Sequence, residues 1–161
     1  MSEPNAKATI PQPREGLVGE WDKFVGPGAA RWETVGSFGF AAVGAVAAPT
    51  LVNRQRPGAN PVELAVAAAV GGDIAGGAWT NETPSCQRWY HRAGTTGLGR
   101  VGFAALHLYP FLVDATSGRF QWRSAAITYA SLVASSAILE LAPHDRRRST
   151  AYGLYTVWLA G

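Results

Sequence analysis

Five side chains have the types and positions for proton chemistry: Asp73, His107, Glu82, His91 and Glu140. Asp73 is the only charge in residues 64–81, LAVAAAVGGDIAGGAWTN. A carboxylate at the centre of an apolar helix costs about 2.5–3.5 kcal/mol on insertion scales, so it must be protonated, paired or solvated by a cavity. His107 lies in a second apolar run, 101–118, and an imidazole can both donate and accept a proton. On helices over 62–80 and 101–117, Asp73 and His107 each fall about 3 Å to the same side of the helix centre at 1.5 Å per residue. Antiparallel neighbours would therefore bring them to one depth as an acid-base pair. Glu82 and His91, within WTNETPSCQRWYHRAGTTGLGR at 79–100, would cap the mouth of the same cavity. Glu140 would line an entry route or, more simply, extend toward Arg146 or Arg147. The alternative for Asp73 is a hydrogen-bonded tie across a helix bundle.

Other chemistries find little support. Cys86 is the single cysteine, so no internal disulfide can form, and no nucleophile motif surrounds it. His91, His107 and His144 are widely separated, with no HExxH or CxxC spacing, so no metal, haem or other cofactor is expected. Gly71, Gly72, Gly76 and Gly77 are not followed by Lys-Ser/Thr, which removes the phosphate-loop reading. A formal net charge of +3, without a basic run interleaved with aromatics, gives no case for nucleic acid.

The elements that must position these groups follow from where charge is missing. Charged residues make up 16% of the 161 positions, below the ~25% of an ordinary soluble domain. Residues 34–53 carry no charge; 64–81, 101–118 and 124–143 carry one each; 149–161 carry none. A run of about 20 residues matches the ~30 Å hydrocarbon core. The fold expected is all-α: a polytopic membrane helix bundle of five transmembrane helices, the fifth short or truncated. Four helices plus an interfacial one is the alternative. A soluble Ala-rich bundle would be left with little polar face, and the runs lack the period-two alternation of a membrane barrel.

Residues 1–30 read as a polar cytoplasmic tail without a secretory signal, and 31–161 as the integral membrane domain. Within the tail, Leu17, Val18, Trp21 and Val25 recur at near-helical spacing and suggest an interfacial segment. Gly72 and Gly76 form a GxxxG pair that would let another helix approach closely, either inside the bundle or from a homo-oligomer or membrane-protein partner. Pro110 lies inside an apolar run and can kink its helix. Arg31, Arg88, Arg92, Arg100 and Arg146–Arg148 outnumber Arg54, Arg56, Arg119 and Arg123 on the other side. That bias puts the amino terminus in the cytoplasm, in a prokaryotic inner membrane. The tryptophans near the proposed ends fit an aromatic belt, and lipid is the expected surrounding partner.

The function expected is a small integral membrane enzyme whose acid-base centre acts on a hydrophobic or lipid-like small molecule. The alternatives are a structural or assembly subunit and a small lipid- or ligand-binding carrier. A polar-centred interior cavity favours the enzyme or carrier; a fully packed interior favours the subunit.

Overall fold

A computed structural model of the chain describes residues 10–119, 121–143 and 145–160, apart from the side chains of Tyr155, Trp158, Leu159 and Ala160. The start of the polar tail, His144 and the Trp158 side chain lie outside the described residues. The elements are all helical: α1 (Gly16–Val25), α2 (Arg31–Gln55), α3 (Pro61–Glu82), α4 (Pro84–Tyr90), α5 (Gly97–Ala105), α6 (Tyr109–Ser117), α7 (Trp122–Leu141) and α8 (Arg147–Ala160).

Three of them, α2, α3 and α7, are long and apolar enough to cross a membrane, with mean hydropathies of 1.7, 1.2 and 1.4 over their best windows. Little of these windows is buried inside the protein: 6%, 17% and 6%. Val35, Val43 and Val46 on α2 and Ile127 on α7 point outward. A helix apolar around its circumference and not covered by protein needs lipid around it. The chain is an all-α membrane-embedded protein on this ground. The expected runs 101–118 and 149–161 form shorter helices: α5 and α6 have 9 residues each and α8 has 14. Each is below the ~17–25 residues that a spanning helix needs.

The chain divides into two compact units, Met1–Gly58 with Ala67–Gly94, and Ala59–Val66 with Thr95–Gly161. In the first unit, α2 and α3 pack antiparallel through small residues. Ser37 meets Thr80, Gly76 faces Ala41, and Gly44 faces Gly71. A Cβ at Gly44 would collide with the Gly71 carbonyl oxygen, so the two backbones are in direct contact. The Trp79 indole lies against Gly36, donates to the Glu33 carbonyl at 3.2 Å and stacks on Phe40.

The segment after α3 is more ordered than a loop. Thr83 caps α4, accepting the Cys86 N–H, and Pro84 fills a first-turn position where its missing N–H costs nothing. α1 packs on α4, where Gly26, at φ 91°, lies against the Ser85 carbonyl. Arg14 holds α1 by donating from its side chain and backbone N–H to Asp22. This arrangement holds the Asp22 carboxyl down at about 2.

The second unit contains the largest departure from the expected helix over 101–117. It breaks between α5 and α6, at Leu106–Leu108. Pro110 has no N–H for the Leu106 carbonyl four residues earlier, and Leu108 N–H turns back to that carbonyl at 2.9 Å. Tyr129 of α7 donates to the Ala105 carbonyl at 2.7 Å, satisfying an acceptor that the broken helix leaves open. At the other end of α7, Arg147 donates to the Ala142 and Glu140 carbonyls. A basic side chain there favourably meets the negative end of the helix dipole.

Candidate functional site

The Asp73 neighbourhood is a groove in the first unit, about 520 Å³ in volume, over the α2–α3 seam. α3 supplies one helical face: Ala69, Asp73, Gly76, Gly77 and Thr80 recur at intervals of three and four residues. α2 supplies Ser37, Phe38, Ala41 and Ala45 by the same periodicity, and α1 supplies Trp21 and Phe24. The wall is open because its side chains are small. A Cβ at Gly77 would meet nothing within 4 Å.

Among the described lining residues, Asp73 is the only titratable one. Ser37 and Thr80 are buried and serve the helix seam. Their oxygens are 2.8 Å apart, and they also lie within bonding distance of the Glu33 and Gly76 carbonyls, at 3.0 and 2.7 Å. Two hydroxyl protons therefore serve three contacts. Toward this end Trp21 stacks on Phe38, with ring centroids 4.8 Å apart. The volume and the mostly apolar wall with a few polar groups match the usual anatomy of a small-molecule site, for which about 300–1,000 Å³ is typical.

The other four candidates stand elsewhere. Glu82 is nine residues beyond Asp73 on α3. At 100° and 1.5 Å per residue it lies half a turn around the helix and about 14 Å along it, so it faces away from the groove. His91 is the exposed C-cap residue of α4, its backbone N–H bonded to the Gln87 carbonyl at 3.1 Å. In the second unit, Glu140 is gripped by Arg100 through two 2.6 Å bonds, with Arg147 3.6 Å away. A Cβ at Gly97 would come within 3.0 Å of the same carboxylate, so Glu140 fastens the start of α5 to the end of α7.

His107 sits in the break between α5 and α6, where a continuous helix was expected. Its Nδ1 is 2.9 Å from the Phe103 carbonyl, and its ring meets those of Phe103 and Tyr109 edge-on. A carbonyl only accepts, so this contact puts a proton on Nδ1. Asp73 and His107 belong to different units, each with its own local architecture.

Sequence reasoning overlooked four contributors. Glu33, at the start of α2, is 4% exposed and its carboxylate accepts N–H bonds from Ala30 at 2.5 Å and Ser85 at 3.1 Å. The signal was an acid at the third helical position, half of a capping box. Trp21 belongs to the expected interfacial segment, yet it lines the groove together with Phe24, and Tyr129 supports the Ala105 carbonyl at the end of α5. Burial pushes the Cys86 thiol up to about 11, so it is a packed side chain rather than a nucleophile at neutral pH. No group of three or more His, Cys, Asp or Glu side chains suited to a metal occurs among the described residues. Comparison with family models, curated proteins and solved structures returned no match.

Proposed function

We propose that this chain is an integral membrane protein that binds a hydrophobic or lipid-like small molecule in the Asp73 groove. The observation that carries the reading is a carboxylate in the middle of a membrane-length helix, beside an Ala- and Gly-walled groove of about 520 Å³. The ligand enters sideways from the acyl-chain region and replaces lipid against α2 and α3. Asp73 selects it by hydrogen bonding and can exchange a proton with it. With no second titratable side chain among the described lining residues, the groove chemistry favours binding or single-proton exchange over a two-residue acid-base reaction. The arginine bias supports an amino terminus on the cytoplasmic side of a prokaryotic inner membrane.

Gly77 supplies the test. A Cβ at that position meets nothing within 4 Å, and the rest of a leucine side chain adds bulk to the groove wall that Gly77 forms. The protein is reconstituted in nanodiscs made from a total membrane extract, and retained small molecules are read by native mass spectrometry. The unaltered chain carries a bound species, Gly77→Leu loses it, and Asp73→Asn holds it more weakly. The same species at the same occupancy in Gly77→Leu would overturn the proposal.

A further inference from the structure

We propose that the corner where α7 ends and α8 begins binds the headgroup of an anionic phospholipid. The charges there do not cancel. Arg100, Arg146, Arg147 and Arg148 stand against Glu140 and Asp145, a surplus of two positive charges. Glu140 is already shared: Arg100 donates to both of its oxygens at 2.6 Å, and Arg147 lies 3.6 Å from one of them. Arg147 also donates through Nε and Nη2 to the Ala142 and Glu140 carbonyls, at 3.3 and 3.2 Å. Those bonds fix its guanidinium and leave Nη1 to donate elsewhere. Arg146 is exposed, and its guanidinium has no hydrogen-bond or ion-pair partner among the described residues. A phosphate oxygen accepts charge-assisted hydrogen bonds from such groups, and one phosphate can serve several donors.

Position favours a lipid over a free phosphate. α7 is long and apolar enough to cross a membrane, and its last residue, Leu141, is 86% exposed. Arg146 follows five residues later. The arginines therefore stand where acyl chains give way to headgroups. Tyr152 of α8 is exposed as well, with the Arg148 guanidinium 5.8 Å from its ring centroid. A phospholipid covers the apolar and the charged surface together, whereas inorganic phosphate covers only the charge. The surplus also selects the headgroup. A zwitterionic lipid brings its own cation to a positive surface; phosphatidylglycerol brings a net negative charge and no cation.

The test offers the purified full chain, in mild detergent, equimolar phosphatidylcholine and phosphatidylglycerol with identical acyl chains. Native mass spectrometry counts the bound lipids. Phosphatidylglycerol is expected to be retained about tenfold or more over phosphatidylcholine. Arg146→Gln with Arg148→Gln should bring that ratio close to one. Arg119→Gln with Arg123→Gln removes as many exposed charges before and at the start of α7 and should leave the ratio unchanged. Neither inorganic phosphate nor glycerol phosphate, at the same concentration, should displace the lipid. The headgroup comparison on the unaltered protein stands even if a variant fails to insert. Equal retention of the two lipids overturns the proposal. So does an equal fall of the ratio in both double variants, which would mark diffuse charge attraction instead of a site. Displacement by glycerol phosphate overturns the lipid assignment in favour of a soluble phosphate ligand.

Discussion

Two alanine substitutions of the same chemical kind should change stability in opposite directions. At Gly44, a new Cβ collides with the Gly71 carbonyl oxygen and comes within 2.7 Å of the Ala75 Cβ. Carbon atoms prefer about 3.5–4.0 Å, so α2 and α3 must part by about 1 Å. Such parting stretches the 2.8 Å Ser37–Thr80 contact on the same seam. Overpacking costs about 1–3 kcal/mol, offset by about 1 kcal/mol from replacing a helical glycine with alanine. Gly44→Ala should therefore lose up to about 2 kcal/mol. At Gly77 no clash opposes the helix-propensity gain, and Gly77→Ala should gain about 0.5–1 kcal/mol. At about 2–4 °C per kcal/mol, the melting temperatures should separate by several degrees. Cys86 provides the assay because it is the only cysteine and is 2% exposed. A thiol-reactive fluorophore added during a thermal ramp reports its release. Gly44→Ala melting at or above Gly77→Ala would refute the backbone-contact account of the seam.

Three further outcomes follow from the electrostatics. Arg100→Gln or Glu140→Gln should each destabilise the protein by about 1–3 kcal/mol, and the double variant by less than the sum of the two; additive losses in a double-mutant cycle would remove the clamp. Arg14 holds Asp22 at about 2, below its ordinary 3.8, so this contribution is present above 3.8 and lost as pH falls toward 2. Asp22→Asn should accordingly lower the melting temperature at neutral pH and make little difference near pH 2, where both chains lack the charge; an equal loss at both pH values would contradict this linkage. The raised Cys86 thiol should resist iodoacetamide at pH 8 in the folded protein and react after unfolding, with mass spectrometry as the readout.

The long spans were legible because charge is absent over bilayer-length stretches. The 34–53, 64–81 and 124–143 runs correspond closely to α2, α3 and α7. Pro110 carried the warning of a break near 101–118, but its location depended on a contact from α7: Tyr129 supports the freed Ala105 carbonyl. The 79–100 segment held a legible cap in Thr83–Pro84, overshadowed by its arginines and aromatics. Asp73 was identifiable as a charge in the wrong solvent. Its surroundings were not, because groove walls come from three helices and sequence periodicity describes one helix at a time. Glu140 illustrates the same limit: its principal partner, Arg100, is 40 residues away.

A lipidic-phase crystal structure of the protein purified without delipidation tests the central claim most directly. The account predicts non-protein density in the groove, extending from hydrogen-bond distance of the Asp73 carboxylate toward Trp21, and its loss in Gly77→Leu. A groove closed by α2 and α3 side chains, or density that persists unchanged in Gly77→Leu, would contradict it.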